Sequence, residues 1–140
     1  MALMPKRVKY RKLQRGNWSK GKATRGTSLS FGDYGLVALE HGLITAQQME
    51  TIRLMSTRFL GTAARIYIRM RPWKSMTAKP QETGLGMGKG DIKYWCSPVK
   101  PGKIIIEIAG ADDILSRQCL RRVADKLPVK TRLVTRKMMT

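Results

Sequence analysis

The sequence predicts an α+β fold in which a mixed sheet and two helices follow a basic, extended N-terminal arm. Residues 64–71 alternate apolar and polar side chains as a strand does, and residues 45–61 have apolar side chains at helical spacing. The predicted elements run in the order strands, helix, strand, loop, hairpin, helix, strand, which is typical of this fold class. We expect residues 1–28 to form the arm and residues 29–140 to form a single α+β domain.

The arm is the most cationic segment of a strongly basic chain. The protein has 140 residues, with 28 lysines and arginines against 9 aspartates and glutamates, and its formal net charge is +19. The first carboxylate is Asp33. A segment with this much positive charge and no counter-charge repels itself unless it lies against a dense polyanion, which indicates nucleic acid. A disordered solubility tail is the alternative, although such tails seldom contain tryptophan.

Eleven arm residues are predicted to contact RNA, because cations can neutralise phosphates and aromatic rings can stack on bases or sugars. They are Lys6, Arg7, Lys9, Tyr10, Arg11, Lys12, Arg15, Trp18, Lys20, Lys22 and Arg25.

The first elements after the arm carry clear local signals. Residues 29–42 are mostly apolar and have glycines at 32 and 35, which predicts one or two strands with a bend. The helix that follows is predicted to begin at Thr45 as N-cap, with Gln48 as its capping-box partner, and to end at Gly61.

The strand predicted over 64–71 has one apolar and one cationic face. Its polar face carries Arg65, Tyr67, Arg69 and Arg71. Like charges on one strand face cost stability unless an anion compensates them. We therefore predict that these arginines contact the phosphates of a nucleic acid or another phosphate, and a solvated face is the alternative.

A long irregular, glycine-rich loop is predicted at about 72–91, and it contains the sequence GLGMGKG at 84–90. A Walker A loop would need Ser or Thr after its Gly-Lys pair, whereas Gly90 follows Lys89 here. The pattern instead predicts a finger of small residues whose backbone can approach RNA closely.

The sequence of the last part of the chain predicts a hairpin, a helix and a strand. Residues 92–99 and 103–109 are predicted strands joined by a Pro-Gly turn. A helix opening at Asp112 and Asp113 should follow, then a strand over 129–136. The apolar stripe predicted for this helix is Leu115, Cys119, Val123 and Leu127.

The sequence contains no recognisable catalytic or metal-binding set. His41 is the only histidine, and Cys96 and Cys119 stand at unrelated spacings, so we predict no enzyme activity, no metal and no cofactor. Because no signal-peptide pattern is present, the cysteines are expected to be reduced. No apolar run approaches the ~18 residues that a membrane span needs, so a membrane partner is not expected.

The chain resembles the bacterial-type large-subunit ribosomal protein sixteen, of the universal L-sixteen/L-ten-e family, essentially from end to end. The matching segments are MPKRVKYRK at 4–12, LSFGDYGL at 29–36, LITAQQME at 43–50, ARIYIR at 64–69, MGKG at 87–90, YW at 94–95, VKPGKI at 99–104 and LPVKTRLV at 127–134. Each segment is short, but their order and spacing together are specific.

This resemblance implies a hammerhead-like strand arrangement and a cytoplasmic place in the large ribosomal subunit, with an organelle-encoded origin left open. It implies binding to 23S rRNA near the base of the central protuberance, beside the 5S rRNA region and other large-subunit proteins. It also implies contact with A-site tRNA, with P-site tRNA left open. The arm from Lys6 to Arg15 would thread among rRNA helices, and the finger would point towards the peptidyl transferase region. The tRNA-proximal loop residues would then be Lys74, Lys79, Met87, Gly88, Lys89 and Gly90.

Two segments depart from the family pattern. The family's finger has an arginine followed by Met-Gly-Lys-Gly-Lys-Gly, so this chain lacks that arginine and one lysine at 84–90. The family's Phe-Pro-Asp-Lys-Pro is Arg-Pro-Trp-Lys-Ser at 71–75. We expect weaker or reshaped contacts at the finger tip. Two other functions stay open: a general nucleic-acid-binding or compacting protein outside the ribosome, and a small nucleotide-dependent enzyme using the glycine loop.

Overall fold

The computed structural model describes residues 4–62, 64–84 and 86–136. The outer ends of the predicted arm and domain, 1–3 and 137–140, lie outside the described residues, as does Leu85 of the finger. The elements are β1 (Tyr34–Ala38), β2 (Gly42–Thr45), α1 (Ala46–Leu60), β3 (Arg65–Ile68), β4 (Lys74–Ala78), β5 (Asp91–Val99), β6 (Ile104–Ala109), α2 (Asp113–Ala124) and β7 (Thr131–Thr135). The predicted α+β class with two helices is confirmed.

The strands form two sheets. The large sheet has the order β3-β6-β1-β7, and the small sheet has the order β2-β5-β4. All strand pairs in the described part of the chain are antiparallel. The mixed sheet predicted from the sequence is therefore corrected to two antiparallel sheets. The sequence pattern identified the strands, but their partners lie far along the chain and leave no local signal.

The predicted Pro-Gly turn is present, but the prediction that its two flanking strands pair as a hairpin is wrong. The Lys103 amide donates to the Lys100 carbonyl at 3.1 Å, and Gly102 has a φ of +90°, as a type II turn requires. However, β5 pairs with β2 and β4, whereas β6 pairs with β1 and β3. The turn therefore carries the chain from the small sheet to the large one.

The hairpin of the small sheet is instead formed by β4 and β5, with Ala78 opposite Asp91. The predicted irregular loop at about 72–91 is thus partly wrong, because β4 occupies its first part. Its KSMTA sequence shows no alternation of apolar and charged side chains, and pairing with β5 sets its conformation. The glycine-rich finger is the connection between these two strands.

The caps predicted for α1 are confirmed. The Gln48 amide donates to Thr45 Oγ1 at 3.2 Å, and the Thr45 amide donates to Gln48 Oε1 at 2.9 Å. Gly61 ends the helix with a φ of +69°. These contacts are local, which explains why the sequence predicts them correctly.

The stripe predicted for α2 is partly wrong. Cys119 and Val123 are buried as predicted, but Leu115 is 46% exposed and Leu120 is fully buried in its place. The buried face is Ser116, Cys119, Leu120 and Val123, which follows the i, i+3, i+4, i+7 spacing of one helix face.

The main core joins both helices to both sheets, with Met49, Ile52, Leu120, Ile106 and Val99 in one cluster. Cys96 and Cys119 are buried and free, and burial raises the pKa of both thiols, which favours their neutral form. Neither described helix is long and apolar enough to cross a membrane. The central strand β6 is buried over its first five residues, and one of them is the carboxylate Glu107.

Candidate nucleic-acid interface

The segment from residue 4 to residue 33 has no helix or strand, and backbone hydrogen bonds attach it to the domain at several places. At the first, the Leu13 amide donates to Ser75 Oγ at 3.3 Å, and that hydroxyl donates to the Arg11 carbonyl at 2.6 Å. Because these bonds use arm backbone groups, the arm's cationic side chains stay available for other contacts.

The second attachment lies at the turn between the sheets. The Ala23 amide donates to the Pro101 carbonyl at 2.9 Å, and the Ile104 amide donates to the Gly26 carbonyl at 2.9 Å. His41 Nε2 lies 2.8 Å from the Gly21 carbonyl oxygen, which gives the single histidine a structural place. The arm is thereby attached to the small sheet at β4 and to the turn and the first residue of β6.

Lys74 occupies a position that the sequence did not predict. It was expected in a tRNA-proximal loop, but it lies in β4, is only 4% exposed, and its Nζ donates to the Arg15 carbonyl. The pairing of Lys74 with Cys96 of β5 fixes its backbone inside the small sheet. The loop assignment of Lys74 is therefore corrected: this side chain anchors the arm.

The finger is tied to the arm at its base. Lys89 Nζ donates to the Leu13 carbonyl at 2.6 Å, and Lys12 Nζ donates to the Lys89 carbonyl at 3.1 Å and to Asp91 Oδ1 at 3.2 Å. Lys79 Nζ donates to the Gly86 carbonyl at 2.6 Å and to the Gly84 carbonyl at 3.4 Å. All three lysines therefore contribute to the shape of the finger and the arm.

The outer part of the finger turns at Met87 and Gly88, which have positive φ values of +65° and +74°. Met87 is fully exposed. Gly90 closes the finger where only glycine fits, because an added Cβ would lie 2.6 Å from the Ala78 carbonyl oxygen. The tip thus presents backbone, small residues and one methionine.

The three arginines of the predicted phosphate strip have different surroundings. Arg65 and Arg71 are exposed and form no ion pair with any described residue. Arg69 pairs with the buried Glu107, and its guanidinium lies 5.0 Å from the centre of the Phe31 ring. Tyr67 stacks on that same ring at 5.2 Å.

Glu107 organises the junction between the arm and the large sheet. Its Oε2 accepts hydrogen bonds from the amides of Ser30, Phe31 and Gly32 at 3.1, 2.7 and 2.8 Å, and its Oε1 accepts from Arg69. Burial raises the pKa of the Glu107 carboxyl, but the amides of Gly32 and Phe31 and the Arg69 guanidinium outweigh it, so the pKa lies below its usual range.

Most arm cations have no carboxylate partner. Ion pairs in the described part of the chain engage Lys12, Arg53, Arg69, Arg117 and Arg136. Eight predicted arm cations are exposed and take part in none of these pairs: Lys6, Arg7, Lys9, Arg11, Arg15, Lys20, Lys22 and Arg25. Tyr10 is exposed beside Lys9, whose Nζ lies 5.6 Å from the ring centre, and Trp18 is partly buried. The described arm is thus an extended chain of uncompensated positive charge.

This basic surface on an α+β domain coincides with a specific sequence match. Residues 5–134 match the sequence model of the family described as ribosomal protein L16p/L10e. The chain belongs to this family. It is therefore a structural constituent of the large ribosomal subunit, and the resemblance noted from its short segments is confirmed. As a ribosomal protein of the L16p/L10e family it is an rRNA-binding protein of translation.

Sequence reasoning missed three residues that shape this L16p/L10e protein. Glu107 was not singled out from the sequence, although an acid inside the apolar run KIIIEIA is a visible sign of a buried partner. Ser75 Oγ accepts a hydrogen bond from the Leu13 amide and donates one to the Arg11 carbonyl, and nothing in the sequence identifies that role. Trp73 was assigned only to the beginning of a loop, yet it is half exposed beside the arm.

Proposed function

We propose that this protein binds 23S rRNA through its arm, positions tRNA at the A site through its finger, and has no catalytic activity of its own. The observation that supports the first part is the set of eight exposed arm cations that have no carboxylate partner among the described residues. The arm backbone is attached to β4 and to the turn before β6, so these side chains can meet phosphates without ordering the whole segment first. We also propose that the protein contacts the 5S rRNA region and neighbouring large-subunit proteins.

The finger contributes to this function through its shape more than its charge. Lys79 and Lys89 donate to backbone carbonyls of the finger and the arm, so they hold the finger in place. Met87 and Gly88 then form the part that can approach a tRNA backbone closely, while Gly90 shapes the base of the finger. This is consistent with the altered finger sequence, in which an arginine and a lysine of the family pattern are missing. The same finger is also a candidate contact for P-site tRNA.

The rRNA proposal is tested by rebinding to large subunits from which basic proteins have been stripped at high salt. The purified protein should co-sediment with large subunits at low salt and leave them at high salt, because phosphate contacts release counterions. Small subunits and duplex DNA serve as competitors of similar charge density. Equal binding to all three would contradict the proposal and favour a general nucleic-acid-binding protein.

The tRNA proposal is tested by a Met87→Cys variant that carries a short photo-crosslinker. Cys96 and Cys119 are buried, so the reagent should modify the exposed position selectively. In assembled ribosomes it should crosslink A-site tRNA. Ile114→Cys is the matched control, because Ile114 is also exposed but lies on α2. Equal crosslinking from both positions, or none from position 87, would contradict a tRNA-proximal finger.

A further inference from the structure

Trp73 is the shared wall of three neighbouring depressions. The first has a volume of about 840 Å³ and lies beside β3, where Arg71 and Lys103 also line it. The second, of about 450 Å³, separates Trp73 from arm residues 4–8. The third, of about 390 Å³, lies between Trp73 and Trp18. We call these three depressions together the Trp73 surface.

The backbone of Trp73 is fixed while its ring is half exposed. The Trp73 amide donates to the Cys96 carbonyl of β5 at 3.2 Å, and its two neighbours, Pro72 and Lys74, are buried. The residue itself is 47% exposed. An aromatic ring on a rigid backbone loses little conformational freedom when a flat ligand stacks on it, so it is suited to binding.

The ring of Trp73 is not engaged by another ring or by a cation in the described part of the chain. Phe31, which lines the first depression, already stacks on Tyr67 and contacts the Arg69 guanidinium. Trp73 takes part in no ring stacking and no cation–π contact with any residue that the structure describes. Its exposed face is therefore open to a ligand.

Eight of the side chains that line the three depressions are cationic, and among the described residues no carboxylate lines any of them. Arg71 lines the first and second depressions and Lys103 lines the first and third, and neither forms an ion pair with a described residue. The other cations of the Trp73 surface are Lys6, Arg7, Lys22, Arg25, Arg69 and Lys100. Of these cations only Arg69 has a carboxylate partner among the described residues, namely Glu107. An exposed aromatic ring beside cations that are mostly unpaired fits a ligand with a flat base and flanking phosphates.

We propose that Trp73 stacks on an unpaired RNA nucleotide whose flanking phosphates bind Arg71 and Lys103. Single-stranded RNA is the ligand favoured here, because the bases of a duplex are already stacked and are not available to the ring. This inference rests on the proposed function and deepens it: the rRNA bound at the Trp73 surface is an unpaired segment.

The test compares a single-stranded RNA of about ten nucleotides, a typical site length for such proteins, with the same strand made abasic at its central positions. The wild-type protein should bind the abasic strand about 5- to 150-fold more weakly, since stacking is lost while the phosphates remain. Trp73→Ala should bind both strands equally weakly, and Trp73→Phe should recover most of the difference. Arg71→Gln should instead make the salt dependence shallower by about 0.7.

Tyr94→Ala is the matched control, because Tyr94 is a partly exposed aromatic residue of β5 outside the three depressions. It should leave RNA affinity unchanged, and thermal unfolding should confirm that each variant is folded. If the wild-type protein rebinds large subunits but binds intact and abasic strands equally, the stacking inference is overturned and the proposed function stands. If it does not rebind large subunits at all, the proposed function itself fails.

Discussion

Glu107→Gln is expected to lower the free energy of unfolding by about 3–5 kcal/mol, because it removes one partner of a buried ion pair and leaves Arg69 without its counter-charge. The same substitution puts an amide where the carboxylate accepts three backbone N–H groups from residues 30–32. Urea denaturation of the purified protein at pH 7, followed by tryptophan fluorescence, measures the change.

Glu82→Gln is the matched control, because Glu82 is an exposed glutamate in the loop before the finger. It should alter stability by less than about 0.5 kcal/mol. A double variant, Arg69→Met with Glu107→Leu, should recover part of the loss, since replacing both partners by apolar groups avoids an unpaired buried charge. If Glu107→Gln unfolds at the same urea concentration as Glu82→Gln, the ion pair does not stabilise the fold.

The same carboxylate should make stability depend on pH. Its pKa in the folded protein lies below its ordinary value, so the unfolded chain binds a proton more readily than the folded protein does. The stabilisation from Glu107 is therefore complete above the unfolded pKa of about 4.3 and is lost as the pH falls through the lower, folded pKa. The wild-type protein should lose more stability between pH 5 and pH 3 than Glu107→Gln does.

The elements predicted correctly were those whose signals are local. Thr45, Gln48 and Gly61 lie within one helix and specify its ends by contacts between near neighbours in the sequence. The Pro-Gly turn at 101–102 was also correct, but the partners of the strands on either side were not. Strand pairing depends on contacts between distant segments. The Pro-Gly turn has a sequence typical of a hairpin, but it connects a strand of one antiparallel sheet to a strand of the other.

The candidate site shows the same division. The charge of the arm could be predicted from composition, because Lys6, Arg7 and their neighbours have no acid nearby in the sequence. The attachments of the arm could not be predicted, since Lys74 reaches Arg15 over 59 positions and Glu107 reaches Gly32 over 75. In the sequence alone, a lysine or a glutamate that is buried in the fold cannot be distinguished from a solvated one until its partner is known.

A five-fold neutralisation of the arm should produce the largest loss of RNA affinity. The variant replaces Lys6, Arg7, Lys9, Arg11 and Arg15 by glutamine and keeps Lys12, because Lys12 pairs with Asp91. Loss of up to five phosphate contacts should make the slope of log affinity against log salt shallower by about 3.5 to 4.5. Affinity for rRNA at low salt should fall by about a hundredfold or more. Filter binding to a large-subunit rRNA fragment over a salt series measures both quantities.

The arm should remain docked in this variant, because Ser75 and Lys74 hold it through the carbonyls of Arg11 and Arg15 and not through their side chains. The matched control removes five exposed cations from other faces: Arg58, Arg121, Lys126, Lys130 and Arg132. Both variants have the same net charge, so a general attraction between a basic protein and RNA would weaken equally in the two. A steep loss confined to the arm variant would instead mean that phosphates lie along the arm itself, and equal losses would contradict that arrangement.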